Sequence, residues 1–235
     1  MLESMSINVL EPGYGKDAVE YMKAWSLQQR IHDEVVSGNV QPTVIMLEHP
    51  PTYTAGRRTQ DSDRPTDGTP VVDVDRGGLI TWHGPGQLVA YPIVPLRDRA
   101  AIKSFVWALE EAIIKTVADF GITAQRVEHR AGVWVLKEGV QDEKIAAIGL
   151  HIDNGVSMHG LSLNVNNSLA PYDVIVPCGI QDAGVTTMAL QAGRNIEVAD
   201  VVESLSGHLL EELAPVVTTP ENESEQQNIK ENTQA

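Results

Sequence analysis

The chain has 235 residues, of which 42% are hydrophobic and 21% charged, the composition of an ordinary soluble globular protein. This length is enough for one domain with its own core, and no stretch approaches the roughly 18 apolar residues of a membrane span. The net charge of −15 argues against non-specific binding to nucleic acid or to an anionic membrane.

The N-terminus and the cysteine content both favour a cytoplasmic location. The opening MLESMSINVLEPGYG carries acidic Glu3 and Glu11, has no basic start and no sustained apolar stretch, so it does not read as a secretory signal. A single cysteine cannot form an internal disulfide framework, which fits a reducing compartment.

The first predicted element is a helix from Asp17 to Ser37, with Asp17 as its cap and Gly38 at its exit. The spacing of its apolar residues predicts a face shared by Ala18, Met22 and Trp25. This helix is expected to pack on a sheet.

Strands and loops are predicted next. The apolar residues from Thr43 to Pro50 predict a short strand. The polar, turn-rich residues 52–70 predict a mobile surface loop. PVVDVDRGG predicts another strand, and LITWHGPGQLVAYPIVPL predicts a strand region interrupted by GPG.

The second half contains two clear helical patterns. Ile102 to Phe120 keeps apolar residues at i, i+3 and i+4, and Gly121 ends it. ITAQRV and RAGVWVL read as strands, and Ile196 to Leu213 again places its apolar residues on one helical face.

Between these helices, the sequence predicts a β-hairpin that starts near Lys144. IAAIGLHI and VSMHGLSLNV have strand character, and Asn154-Gly155 between them tolerates the positive φ of a tight turn. The loop that follows contains two prolines and presents Cys178 beside Gly179.

The elements together predict an α+β domain with a mixed, largely antiparallel sheet flanked by helices, because tight strand-to-strand turns outnumber strand-helix alternation. We expect a single domain at residues 1–216. The acidic, polar residues 217–235 are expected to be a disordered tail.

Two kinds of site are not favoured. The glycine-rich segment Arg76 to Pro92 has neither GxxxxGK[ST] nor GxGxxG leading into a helix, so its pattern does not predict a nucleotide phosphate site. Its glycines mark either the approach of a ligand near His83 or a bulged strand around a core histidine. His83, His151 and His159 lack the spacing of a metal site.

Cys178 is the candidate nucleophile. A thiolate at neutral pH needs a nearby cation or base, which Lys144 or one of the histidines at 83, 151 and 159 could supply. Chemistry alone favours a Cys-His pair. A structural cysteine and a solvated lysine remain the alternative.

The motifs EHPPTYTAG, RGGLITWHGPGQLVAYP, RAGVWV, KIAAIGLHI, HGLSLNVN and VPCGI, in this order, resemble the octanoyltransferases of lipoate biosynthesis. Those enzymes share the catalytic-domain fold of biotin and lipoate protein ligases. The resemblance covers roughly residues 5 to 215, and it implies an acyltransferase with a catalytic dyad of Cys178 and Lys144 in place of a Cys-His pair.

The implied reaction moves an octanoyl group from the phosphopantetheine of acyl carrier protein, through a thioester on Cys178, to a lysine of a lipoyl domain. The implied acceptors are 2-oxoacid dehydrogenases and the glycine-cleavage H protein. No cofactor, ATP or metal is implied. The rival function on this fold is an ATP-dependent lipoate or biotin protein ligase.

The resemblance also implies the residues that line the acyl and thioester site. They are Arg76, Gly77, Gly78, Leu79, Ile80, Thr81, Trp82, His83, Ala147, Ile148, Gly149, Gly160, Leu161 and Ser162. The net-positive region from Arg57 to Lys103 becomes a docking hypothesis, because both protein partners tend to be acidic.

Overall fold

The computed structural model describes residues 6–66, 68–97, 101–175 and 183–217. Within them, the main sheet has eight strands. These strands are β1 (Asn8–Gly13), β2 (Thr43–Leu47), β6 (Gln87–Ile93), β7 (Gln125–Val127), β8 (Arg130–Val135), β9 (Glu143–Asp153), β10 (Val156–Asn164) and β11 (Gly184–Val185). A small second sheet contains β3 (Thr52–Ala55), β4 (Val71–Asp73) and β5 (Ile80–His83).

The main sheet is mixed and largely antiparallel. Its order is β1-β2-β6-β10-β9-β8-β7, and β11 pairs with β9. Only the β1–β2 and β9–β11 pairs are parallel in this sheet. The predicted α+β class with flanking helices is confirmed.

Helices cover both faces of the main sheet. They are α1 (Tyr21–Val36), α2 (Ala101–Asp119), the short α3 (Met188–Ala192) and α4 (Val198–Leu213). The apolar faces of α2 and α4 share the largest buried cluster with strand residues such as Leu88, Leu161 and Leu163. Helix α1 packs over a second cluster that includes Ile45, Val89 and Tyr91. The face covered by α1 also carries the main cavity.

The hairpin of β9 and β10 is confirmed, with its turn at Asn154-Gly155. Both turn residues have positive φ, 48° and 77°, as a tight hairpin turn requires. The helices predicted at 102–120 and 196–213 are also confirmed, and Gly121 follows the first of them at φ 79°.

The first helix differs from its prediction in its start and in its face. Asp17 belongs to a separate 3-10 turn, and Glu20 precedes the first residue of α1. Met22 is 53% exposed, whereas Tyr21 and Ala24 are buried. The predicted face was therefore wrong by one position, because the helix contacts the sheet through Tyr21.

The stretch predicted as a mobile loop at 52–70 contains a strand. Residues Thr52–Ala55 form β3, which pairs with β4 and β5, and Tyr53, Thr54 and Ala55 are buried. This prediction was wrong because the partners that stabilise so short a polar strand lie about 20 to 30 residues away in sequence.

The described chain ends at Val217, which is buried and bridges to Leu96. The rest of the predicted tail, residues 218–235, lies outside the described residues. No helix in the described ranges is both long and apolar enough to cross a membrane.

Strand β10 is distorted where it passes β6. The register that pairs Leu161 with Ala90 brings His159 opposite Pro92, which has no N–H to offer the ladder. The His159 backbone N–H instead donates to the Gln28 side chain of α1 at 2.8 Å, and the Ser157 hydroxyl donates to the Pro92 carbonyl at 2.7 Å. His159 adopts φ 57°, which is uncommon for a residue other than glycine.

We expect Gly160→Ala to destabilise the fold by about 3 kcal/mol, the upper end of the usual cost of over-packing. A Cβ at this position would lie 2.2 Å from the Ala90 carbonyl oxygen and 2.6 Å from the Pro92 ring, and neither can move without distorting β6. Gly207→Ala is the matched control, since its Cβ would meet open space within α4 and should stabilise the helix by up to about 1 kcal/mol. Urea unfolding of both variants measures the difference, and equal stabilities would contradict it.

Candidate active site

The main cavity has a volume of about 340 Å³ and lies beside the centre of the β9–β10 hairpin. Strands β5, β6, β9 and β10, the start of α1 and the turn between β7 and β8 all contribute to its wall. The cavity therefore joins segments that are far apart in the sequence.

Lys144 reaches this cavity because β9 contains a bulge. Between the pairs Val133–Ala146 and Trp134–Lys144, β8 advances by one residue and β9 by two, so one residue of β9 is extra. Ile145 and Ala146 both enter the core on the α2 and α4 side. The usual alternation is thereby shifted, and Lys144 lines the cavity together with Ala147.

The Lys144 ammonium lies against an aromatic ring. Lys144 is 8% exposed, and its Nζ is 4.6 Å from the centroid of the fully buried Trp134 ring. The Trp134 indole N–H donates to the Arg130 carbonyl at 3.0 Å, which fixes the ring. Among the described residues no carboxylate lies within 4.0 Å of the ammonium, so the cation–π contact is its main electrostatic partner there.

Cys178 lies outside the described residues. The chain before it is anchored at Tyr172 and Ile175, which are buried in a cluster with Ile80 and Trp82. After it, Val185 pairs with Lys144, and the Thr186 N–H donates to the Lys144 carbonyl at 3.0 Å. The described residues that follow the predicted nucleophile in the sequence therefore lie beside the predicted lysine.

Arg76 organises the cavity wall through a buried guanidinium. It donates to the carbonyls of Gly77 and Leu79 at 3.0 and 2.8 Å, and to the carbonyl and hydroxyl of Thr54 at 2.8 and 2.9 Å. These bonds hold the loop before β5 against β3. Arg76 is therefore a buried residue of the cavity wall. It is not exposed enough to belong to the surface docking region proposed from the sequence.

Strand β5 divides its residues between two faces. Thr81 and His83 line the cavity, whereas Ile80 and Trp82 point into the cluster around Tyr172, as period-two alternation requires. Gly77 also lies outside the wall, and its N–H donates to the Leu150 carbonyl at 2.7 Å. The sequence had placed all of Arg76 to His83 in the site.

Two buried, neutral histidines lie next to each other here: His83 lines the cavity, and the His49 ring centroid is 5.7 Å from that of His83. His49 Nδ1 lies 2.6 Å from the Val19 carbonyl oxygen and therefore carries the proton, so Nε2 accepts from the Tyr91 hydroxyl at 2.7 Å. His83 Nδ1 donates to Gln87 Oε1 at 2.7 Å. Burial lowers the pKa of His49 to about 4 and that of His83 to about 3.

Two tyrosines stand beside these histidines. Tyr21 from α1 and Tyr91 from β6 are buried and line the cavity. Burial raises the pKa of Tyr21 to about 12 and moves that of Tyr91 well above its ordinary value. Both phenols therefore remain protonated donors at neutral pH.

A carboxylate and a histidine form a pair at another part of the wall. His159 Nε2 is 2.7 Å from Asp75 Oδ1, and no described residue is hydrogen-bonded to His159 Nδ1. Burial lowers the pKa of His159, and the hydrogen bond from His159 lowers that of Asp75. Both shifts favour a neutral imidazole that donates Nε2–H to an ionised carboxylate, which leaves Nδ1 as an acceptor.

Most residues implied by the sequence motifs meet at this cavity. Those in the wall are Arg76, Gly78, Leu79, Thr81, His83, Lys144, Ala147, Ile148, Gly149, Gly160, Leu161 and Ser162. Sequence reasoning missed other wall residues, namely Tyr21, Arg58, Tyr91, His129, Arg130 and Ala131. Tyr91, Arg130 and Ala131 lie within the quoted motifs and Arg58 lies within the docking region, whereas Tyr21 and His129 had no such signal. His159 had been considered as a metal ligand or a base, and it was not assigned to substrate binding.

Known proteins resemble this chain over most of its length. An octanoyltransferase of Arthrobacter sp. (strain FB24) is 49% identical over 218 residues, which cover 92% of this chain and 98% of the relative. An octanoyltransferase of Thermobifida fusca (strain YX) is 52% identical over 200 residues, which cover 83% and 85%.

Solved structures support the fold. A protein of T. acidophilum, described as a lipoate protein ligase and solved with bound lipoic acid, aligns with a TM-score of 0.62 at 13% identity over 97% of this chain and 96% of its own. P. falciparum LipL1, solved with lipoate, aligns with a TM-score of 0.65 at 13% identity, over 88% of this chain and 62% of its own. Residues 20–210 match the family model of the lipoyl protein ligase A/B catalytic domain. The chain therefore belongs to the lipoyl protein ligase A/B catalytic-domain family.

Proposed function

We propose that the protein transfers an octanoyl group from octanoyl-acyl carrier protein, through a thioester on Cys178, to the lysine amine of lipoyl domains. The observation that carries this proposal is the buried Lys144 ammonium at the cavity, beside the strand that follows the Cys178 segment. The octanoyltransferase relatives at about 50% identity support the acyl group and the reaction class.

In the first step, the Cys178 thiolate attacks the carbonyl carbon of the donor thioester. The new carbon–sulfur bond forms, the bond to the carrier sulfur breaks, and the leaving thiolate takes a proton. Lys144 is the proposed partner, since an ammonium stabilises a thiolate and can give up that proton.

In the second step, the acceptor amine attacks the thioester on Cys178. An amide bond forms, the carbon–sulfur bond breaks, and the Cys178 thiolate is restored. Lys144, now neutral, accepts a proton from the attacking amine and returns to its starting state. The amide is more stable than the thioester, so the proposed sequence needs no ATP, cofactor or metal.

The acyl chain would occupy the groove of small residues between β9 and β10. Ala147 and Gly149 on one strand pair with Ser162 and Gly160 on the other, and all four line the cavity. The small side chains of Ala147 and Ser162 leave room for an alkyl chain beside them, whereas Arg76 packs over Gly149, where a Cβ would lie 3.0 Å from Arg76 Cδ. Burial of seven carbons beyond the carbonyl is worth at most roughly 6 kcal/mol, at about 0.8 kcal/mol per methylene.

Within the region from Arg57 to Lys103, the proposed docking surface for the protein partners is the mouth of the cavity. Arg57 and Arg58 are exposed, and Arg58 lines the cavity, whereas Arg76 is buried in the wall. Acidic surfaces of a carrier protein or a lipoyl domain would meet the exposed pair first.

The test is intact-mass analysis after the protein is mixed with octanoyl-acyl carrier protein in the absence of ATP. We expect the mass of one octanoyl group to be added at Cys178, and then lost when a lipoyl domain is supplied. Cys178→Ser should give no adduct and no transfer. An unmodified wild-type protein that octanoylates the lipoyl domain only from free octanoate with ATP would favour the ligase alternative.

A further inference from the structure

We propose that Trp134 is a positioning residue, which holds the Lys144 ammonium at the cavity wall in the orientation that acyl transfer uses. This inference rests on the proposed function, because it concerns how Lys144 is prepared for that reaction. Its basis is a fully buried indole ring with the ammonium over its face, at 4.6 Å from the ring centroid to Nζ.

The ring is placed to act through other side chains and not on a substrate. Trp134 of β8 pairs with Lys144 of β9 across the ladder, and opposite residues on one face of a sheet are close enough to interact. Lys144 lines the cavity, whereas Trp134 does not. Any influence of the indole on the reaction therefore passes through a side chain that touches it.

General apolar packing does not account for the position of this ring. The neighbours Val133 and Val135 belong to the cluster beneath α2 and α4, whereas Trp134 belongs to none of the three apolar clusters of the described residues. A second cation also lies over the ring, with Arg130 Cζ 5.6 Å from the centroid. The negative face of an indole attracts cations, so the ring is bound mainly by charge.

The surrounding backbone fixes the plane of the ring. The indole N–H of Trp134 donates to the Arg130 carbonyl at 3.0 Å. Between these residues the chain passes through Gly132 at φ 110°, a conformation that favours glycine, and a Cβ there would lie 2.4 Å from the Ala146 carbonyl oxygen. The Gly132 N–H donates to Glu110 of α2 at 3.0 Å. A ring that is held in this way gives the ammonium one preferred position.

An aromatic partner suits a lysine that has to gain and lose a proton. The lysine stem is flexible, and a cavity of about 340 Å³ leaves room for other rotamers. A carboxylate partner would also orient the ammonium, but it would oppose the loss of the proton that the proposed first step requires. A desolvated cation–π contact favours one orientation by about 5- to 30-fold.

The first test replaces Trp134 with tryptophans that carry one, two and four fluorine atoms on the benzo ring. Fluorine withdraws charge from the face of the ring and changes its volume little. In a single turnover with octanoyl-acyl carrier protein, we expect the maximal rate of Cys178 octanoylation to fall stepwise, by about 5- to 30-fold with four fluorines. The donor concentration that gives half of the maximal rate should change less than about twofold, because the interaction is not one with the substrate.

The matched control is the same fluorine series at Trp107. The Arg126 guanidinium lies over that ring at 4.1 Å from the centroid, and neither residue lines the cavity, so the rate should not change. In a Lys144→Met background, fluorination of Trp134 should leave the residual rate unchanged. If the rate still falls in that background, the ring acts through Arg130 or through the fold, and the positioning of Lys144 is refuted.

The second test compares Trp134→Phe with Trp134→Leu. Both variants lose the indole N–H and leave space in the wall, but only phenylalanine retains an aromatic face for the ammonium. We expect kcat to be at least about fivefold higher for Trp134→Phe, and equal kcat values overturn the inference. A wild-type protein that forms no octanoyl adduct on Cys178 refutes the proposed function itself. A wild-type adduct whose rate of formation is unaffected by four fluorines refutes only the role of Trp134.

Discussion

Lys144→Met is expected to reduce octanoyl transfer by at least about 100-fold, in the range of a lost acid-base group, with the fold intact. The variant replaces a buried cation with an apolar side chain of similar length. Because among the described residues the ammonium has an aromatic ring and no carboxylate as its close partner, the substitution leaves no buried charge unpaired there. The melting temperature should therefore be unchanged or higher.

Alkylation of Cys178 by iodoacetamide separates the role of Lys144 from a change in fold. Without the ammonium a smaller fraction of the thiol is ionised at neutral pH, so alkylation should be slower at pH 7 and should recover at high pH. Lys137→Met is the matched control, since Lys137 is a nearby lysine that pairs with Glu143 at 2.9 Å outside the cavity. If Lys144→Met alkylates with the wild-type pH profile, the thiol is activated by another group, and the histidines become the candidates again.

The structural elements that were predicted correctly are those determined by residues within their own segment of the sequence. The Asn154-Gly155 turn follows from the tolerance of these residues for positive φ. Helix α2 follows from the apolar repeat within its own segment. Most residues of the motifs around Arg76, Ala147 and Gly160 line one cavity, and their role in binding an acyl group stays a prediction.

Features that depend on pairing between distant segments were not predicted. The bulge that turns Lys144 into the cavity exists only in the register of β9 against β8, and β3 exists only through its partners β4 and β5. Tyr21 joins the wall because α1 packs across β10 and β6. The alternation on β5 sends Trp82 away from the cavity, which a contiguous motif cannot reveal.

The wild-type protein is expected to lose stability steeply as the pH falls below about 6.5, because His49 and His83 are buried in neutral form. Their folded pKa values, about 4 and about 3, lie below the unfolded value of about 6.5. Between these limits the unfolded chain binds more protons than the folded one, so the stability is present above pH 6.5 and is lost on acidification. From pH 6.5 to 4.5 each histidine contributes a loss of roughly 2 to 3 kcal/mol, at about 1.4 kcal/mol per pH unit.

Urea unfolding at pH 7.5 and pH 4.5 measures this loss, and His49→Gln isolates one histidine. The variant should be less stable than wild type at pH 7.5, because the hydrogen bonds to Val19 and Tyr91 are weakened or lost. Its drop in stability between the two pH values should nevertheless be smaller by roughly 2 to 3 kcal/mol, because residue 49 no longer titrates. His129→Gln, at a position where the histidine side chain is 89% exposed, should retain the full wild-type drop. A His49→Gln variant with an undiminished drop would mean that burial of this imidazole is not a source of the acid sensitivity.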